Sequence, residues 1–160
     1  MREEPPEPRP RVVVDARTMT TADGVSGDTS RWVALAEHVL VDEGLGARPI
    51  ELTVHMVDEE SITDLNREHM GVDGPTDVLA FPVDDPAEVP GDLPVLLGDV
   101  VICPAVAAGQ AQGVDGGLQW EMSLLLVHGI LHLLGHDHAE HEEREVMQRR
   151  ERELLAGFGF

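Results

Sequence analysis

Residues 118–138 read LQWEMSLLLVHGILHLLGHDH. From Leu124 to Leu134 every side chain is apolar except His128, Gly129 and His132. A helix that is apolar almost all round is an interior element, so this segment predicts a buried helix over Leu118–Leu134 with the rest of the fold packed on it. His128 and His132 stand one turn apart on one face, where unpaired imidazoles would be costly to bury. At that spacing two imidazoles can bind one ion at about 2.0–2.1 Å each.

Gly135 follows three residues after His132. Glycine there lets the chain leave the helix through a left-handed conformation, which can return His138 to the same ion. The pattern H-x3-H-x2-G-x2-H thus predicts His128, His132 and His138 as ligands of one Zn2+ ion per chain. Three protein ligands leave a fourth position for water or substrate, as in catalytic rather than structural zinc sites. The competing reading is a His-rich helix end, because five of the eight histidines lie between His128 and His141.

Zincin metalloproteases place a Glu, their general base, directly after the first His. Here that position is Gly129. The intervening Gly and third His match the longer metzincin pattern, but its base is missing. Glu121, seven residues earlier on the same face, sits roughly 10 Å along the axis, too far to replace that Glu directly, though within reach of an outer role.

Arg11–Asp15 (RVVVD) reads as a strand. Thr29 or Ser30 would cap a helix carrying Trp32, Val33, Leu35, Ala36, Val39 and Leu40 and ending before Gly44 and Gly46. Ile50, Leu52, Val54 and Met56 alternate with more polar neighbours, as in a strand with one buried face. Asp58 would cap a second helix with Ile62 and Leu65 inward. Thr76–Phe81 reads as a third strand stopped by Pro82, Asp84–Asp92 as a mobile, solvent-facing acidic loop, and Gly98–Ile102 as a fourth strand. Helices are expected over Pro104–Gln112 and roughly Ala139–Leu155. The predicted fold is α+β, a small four-stranded mixed sheet with about five helices and the metal site on the central buried helix. Residues 1–10 read as a disordered, acidic, Pro-rich tail, and residues 11–160 as a single metal-dependent hydrolase domain.

Composition narrows the function. Eleven basic residues, all Arg, face thirty-one acidic ones, giving a formal net charge of −20. Such a chain repels polyanions at long range, so a nucleic-acid function needs a local cation, a metal or a partner. Cys103, the lone cysteine, excludes an intrachain disulfide and an all-cysteine zinc site, and reads as a small buried side chain. The N-terminus has no signal-peptide core and no segment is apolar enough to span a bilayer; a cytoplasmic protein without membrane or DNA partners is expected.

The segment HGILHLLGHDH resembles the HGxLHLxGYDH motif of the YbeY endoribonucleases, the rRNA maturation factors. Leu65-Asn66, Pro75–Pro82 (PTDVLAFP) and Gly98–Ile102 (GDVVI) are similar to that family's LN, PTDVLSFP and GDI segments, and Glu143, Met147 and Glu151–Leu155 follow its acidic last helix. The likeness runs over about residues 30–155. It implies a zinc-dependent, single-strand-specific endoribonuclease acting in 16S rRNA 3′-end maturation and ribosome quality control, with single-stranded RNA, 16S rRNA and the small ribosomal subunit as partners. It implies the same three ligands, His128, His132 and His138. A zinc peptidase of metzincin type and a non-catalytic ribosome-assembly factor with structural zinc are the alternatives.

The chain departs from the family pattern at His136, where Tyr is common, and at Met70, where many members carry an Arg that the resemblance implies faces substrate. The catalytic residues are not fixed by the sequence. Arg67, one turn before Met70, is a candidate for the missing cation, although an exposed helix Arg is commoner. Asp137, between two predicted ligands, is a second candidate, as an orienting carboxylate. Asp77 would line the cleft or cap a strand. Asp99 would orient a zinc-bound His or simply enter a strand. Met147 would pack beneath the metal or in the core. His38, His55 and His69 lack ligand spacing. Arg144, Arg149, Arg150 and Arg152 are interspersed with glutamates, as intrahelical pairing requires, and form the densest positive cluster available to a phosphate.

Overall fold

The computed structural model describes residues 7–19, 28–136 and 140–160. The apolar segment is a helix, α4 (Gly117–Leu133), with Met122, Leu126, Val127, Ile130 and Leu131 all buried. It is the central element: a sheet lies against one side and other helices cover the rest. The sheet contains β1 (Arg11–Asp15), β2 (Ile50–Met56), β3 (Val78–Pro82) and β4 (Val95–Ile102) in the order β1-β2-β4-β3. The pairs β1–β2 and β2–β4 are parallel and β3–β4 is antiparallel. Five helices complete the α+β fold: α1 (Ser30–Asp42), α2 (Glu59–Met70), α3 (Pro104–Gln110), α4 and α5 (His141–Phe158).

The two sheet faces differ. Leu52, Val54, Met56, Val100 and Ile102 belong to the main core with residues of α1, α4 and α5. On the other face α2 covers a smaller cluster of Ile62, Leu79, Val101 and Cys103. Cys103 is fully buried, and burial pushes its thiol up from its ordinary value, as expected of a small interior side chain.

Gly98 sets which side chains of β4 meet which face. Glu51 pairs with Leu96 but Leu52 pairs with Gly98, so Leu97 is an extra residue in a bulge. Gly98 has φ +139°, and a Cβ there would lie 2.2 Å from the carbonyl oxygen of Phe81. Only glycine lets β3 approach so closely. Beyond the bulge, Val100 faces α4 and Asp99 faces away from it.

Several boundaries and contacts differ from the sequence reading. Thr29, one of the two expected residues, is the N-cap of α1, but its side chain makes no cap bond; Asp28 Oδ1 accepts from Ser30 N–H at 2.9 Å instead. Asp58 does cap α2, accepting from Ser61 N–H at 2.8 Å. Pro82 lies inside β3 rather than after it. It is tolerated because Val83 N–H donates inward to Leu97 O, which turns the preceding position, where proline lacks a donor, to the open edge. The fourth strand begins at Val95, three residues earlier than expected, and α5 runs to Phe158, closed by Gly159 at φ +114°.

The acidic loop Asp84–Asp92, expected to be mobile, is tied down at several points. The Arg48 guanidinium donates to the carbonyls of Pro86, Val89 and Pro90 at 2.6, 2.9 and 3.1 Å. Asp84 Oδ2 accepts from Leu96 N–H at 2.9 Å. At the N-terminus, residues 1–6 of the expected tail lie outside the described residues, and Pro10 is already buried.

Candidate active site

His128 and His132 lie in the last two turns of α4 with their ring centres 5.5 Å apart and the rings inclined at 73°. Two imidazoles on one tetrahedral ion, each bonded at about 2.0–2.1 Å, place their ring centres about 5 Å apart. The donor chemistry and the spacing therefore fit zinc. After His132 the chain turns as the glycine required. Gly135 has φ +97°, Gly135 N–H donates to His132 O, and His136 N–H donates to Leu131 O at 3.0 Å. These two bonds are the paired reverse bonds of a Schellman motif. The third expected ligand, His138, and the candidate Asp137 lie outside the described residues.

His128 is held from a second helix. Its Nδ1–H donates to Glu151 Oε1 at 2.6 Å, and the Glu151 side chain is only 8% exposed. A carboxylate can only accept, so this bond places the ring proton on Nδ1 and directs metal coordination to Nε2. A buried carboxylate needs such a partner, and a ligand His commonly needs such a carboxylate. The sequence offered Asp99, as well as Asp137, for the orienting role, with strand entry as the other reading of Asp99. Because of the bulge at Gly98, Asp99 instead faces the α2 side and accepts from His55 Nε2 at 2.9 Å. The signal for Glu151 was present in the sequence: it is an acid on the inner stripe of α5, in phase with Met147, Leu154 and Leu155, all buried.

A cleft of about 400 Å³ opens between the histidines and the edge strand β3, lined by Met70, Thr76, Asp77, Val78, Leu79, Ala80, His128, Gly129 and His132. Gly129 is where α4 touches the sheet. A Cβ there would lie 2.6 Å from Val100 Cγ1 and 3.2 Å from Cγ2. A zincin-type Glu has no space at this position, because its side chain would start inside a buried valine.

Asp77 lines the cleft and also shapes the strand start, its Oδ1 accepting from Val78 N–H at 2.8 Å. With the Gln110 amide nitrogen turned toward them, Asp77 Oδ2 lies 3.2 Å and Glu121 Oε1 3.0 Å from that nitrogen. Glu121 is thereby linked to the cleft through Asp77. Burial, and secondarily the charge of Asp77, push its carboxyl above the ordinary range.

Of the expected cations, Arg67 does not reach the cleft: its guanidinium pairs with Asp64 at 2.8 Å on the exposed side of α2. Met70 does line the cleft. Met147 is buried and lines a smaller cavity beside His128 with Arg144, Gln148 and Glu151. Arg150 ties α5 to α1 through Asp42 and Glu43 and also pairs with Glu153. His136 lines a separate pocket with Glu43, Arg48 and Asp85. His38 bonds Leu154 O, and His69 packs edge-on against Phe81. Among the described residues, no helix is long and apolar enough to cross a membrane.

Fold and site together define an α+β domain with a helical histidine pair beside a sheet-edge cleft. Comparison with known proteins makes this specific. The family model for Endoribonuclease YbeY matches residues 18–159, so the chain belongs to that family. Endoribonuclease YbeY of Thermobifida fusca is 48% identical over 139 residues, covering 84% of this chain and 88% of its own. That of Salinispora tropica is 46% identical over 143 residues, covering 84% and 90%. A Thermotoga maritima protein known from its solution structure shares the fold, with a TM-score of 0.56, 24% identity and coverage of 93% of this chain and 91% of its own. The family supports an endoribonuclease activity, and therefore RNA as the substrate class.

Proposed function

We propose that this endoribonuclease depends on one zinc ion per chain, bound by His128, His132 and His138. We further propose that it cuts single-stranded RNA, acting in the cytoplasm on the 3′ region of 16S rRNA in the small ribosomal subunit, in maturation and quality control. The observation that carries the reading is the histidine pair at the mouth of the β3 cleft, with Glu151 fixing the tautomer of His128.

When bound, zinc supplies Lewis acidity and positive charge to a phosphodiester, the charge that a chain of net −20 otherwise lacks. The protein's own groups do the positioning. Glu151 holds the proton on Nδ1 of His128 and with it the ring orientation. Asp77, fixed by Val78 N–H, offers a carboxylate acceptor to a hydroxyl or base N–H of the substrate in the cleft. The contact of Gly129 with Val100 sets the depth of α4 against the sheet and excludes the peptidase base. That exclusion favours RNA over peptide as the substrate.

The test is cleavage by zinc-loaded protein of a single-stranded oligoribonucleotide spanning the 16S 3′ junction, the same strand in duplex, and an unstructured peptide. Cleavage of the single strand alone is expected. Analysis of the product ends separates attack by water from attack by the ribose 2′-hydroxyl. Cleavage of the peptide but not the RNA would reverse the assignment.

A further inference from the structure

We propose that Arg144 is the protein's phosphate contact in this site, a substrate-binding cation that enters beside His128 from α5. The inference rests on the endoribonuclease reading. It starts from a deficit. The cleft is lined by Asp77 and by no arginine among its described lining residues, and the chain carries a net charge of −20. An RNA strand entering it needs at least one compensating cation besides the metal.

The described arginines can be taken in turn. Arg17 pairs with Asp15, Arg67 with Asp64, and Arg150 with Asp42, Glu43 and Glu153. Arg48 is committed to the carbonyls of the acidic loop, and Arg31 lies over the rings of Phe158 and Phe160. Arg9 and Arg11 precede or open β1, at the edge of the sheet opposite β3. Arg149 and Arg152 do not line the cavity beside His128.

Arg144 does. It shares a cavity of about 160 Å³ with His128, Met147, Gln148 and Glu151. Residues 144, 147, 148 and 151 repeat at three- and four-residue spacing, one stripe of α5. The buried half of that stripe, Met147 and Glu151, is locked beneath His128, and the outer half presents Arg144 and Gln148 at the cavity mouth. No carboxylate forms an ion pair with Arg144 among the described residues, although Glu140 and Glu145 are near in sequence and Glu145 pairs with His141 instead. A guanidinium in that position, next to a metal ligand and uncommitted to a carboxylate, matches a phosphate oxygen in charge and fork geometry.

The experiment measures binding of a non-cleavable 2′-O-methyl single-stranded oligoribonucleotide to the zinc-loaded protein by fluorescence anisotropy across a salt series. Wild type, Arg144→Ala, Arg144→Lys and, as control, Arg149→Ala are compared, with zinc content measured for each. Arg144→Ala is expected to weaken binding about fivefold to tenfold at low salt and to lower the salt slope by about 0.7, one single-strand phosphate contact. Zinc content should stay at the wild-type level, Arg144→Lys should recover the slope, and Arg149→Ala should match wild type. Wild-type affinity and slope in Arg144→Ala would overturn the role of Arg144 while leaving the nuclease reading intact. Wild-type protein that neither binds nor cleaves single-stranded RNA would overturn both.

Discussion

Replacing Glu151 probes how the protein prepares His128. The contact to His128 Nδ1 is 2.6 Å long, with the two side chains 8% and 27% exposed. Water therefore competes weakly for either group. A hydrogen bond to a charged partner contributes about 1.5–3 kcal/mol net, and a neutral one about 0.5–1.5. Glu151→Gln keeps the shape and one acceptor oxygen but removes the charge, so it should forfeit about 1–1.5 kcal/mol. At 1.4 kcal/mol per decade this is about a tenfold loss of zinc affinity. Glu151→Ala removes the acceptor entirely and leaves Nδ1–H unsatisfied, which should bring the loss to about 100-fold, the upper end for outer-sphere partners of metal ligands. The assay is competitive titration against a chelator of known affinity, with circular dichroism confirming that the metal-free variants are folded. Long-range proton–nitrogen NMR supplies a separate readout: the Nδ1–H tautomer of His128 should dominate in wild type and lose ground in Glu151→Ala. Wild-type zinc affinity in folded Glu151→Gln and Glu151→Ala would refute the reasoning.

Two further outcomes follow from the packing and the charges. Gly129→Ala gains about 1 kcal/mol of helix propensity but drives a methyl to 2.6 Å from Val100 Cγ1, and such overpacking costs about 1–3 kcal/mol. A net loss of about 1 kcal/mol in urea unfolding is expected, with weaker zinc binding as α4 lifts and carries His128 with it; a net gain would show that the helix does not rest on the sheet there. Glu121 is held above the ordinary carboxyl range by burial and by Asp77, so the folded chain binds that proton more tightly than the unfolded chain. Its favourable contribution is complete below the unfolded pKa and lost as pH rises through the folded one, so at neutral pH the ionised group opposes folding. Glu121→Gln should raise stability at pH 7 and lose that advantage as the pH is lowered to about 4; an advantage that grows on acidification would contradict the assignment.

Local patterning reached far into this fold. The alternation of Ile50, Leu52, Val54 and Met56, the apolar run of α4 and the cap at Asp58 are short-range signals, and the elements that they mark are present. What escaped depends on contacts between distant parts of the chain. The Arg48 bonds that pin the acidic loop span about 40 residues, so a stretch polar enough to read as mobile is fixed from outside itself. The bulge at Leu97 reverses the facing of Asp99, and it is defined only by how β4 pairs with another strand, β2. The two histidines were legible because one helical turn places them together. Their orienting carboxylate was marked only as an acid on the inner stripe of α5, because Glu151 meets His128 from the next helix, 23 residues along. Arg67 fits the missing cation by proximity in sequence, but Asp64, three residues away, already holds it. Arg144, remote in sequence from Met70, is the arginine that borders His128 among the described residues.

Whether one zinc ion on the histidine site drives RNA cleavage is tested most directly by a zinc titration of metal-free protein, followed by single-stranded RNA cleavage at each point. Cleavage should be absent without metal, rise in proportion to occupancy and saturate at one ion per chain, while His132→Ala should neither retain zinc nor cleave. Cleavage by the metal-free protein, or by His132→Ala at the wild-type rate, would contradict the account.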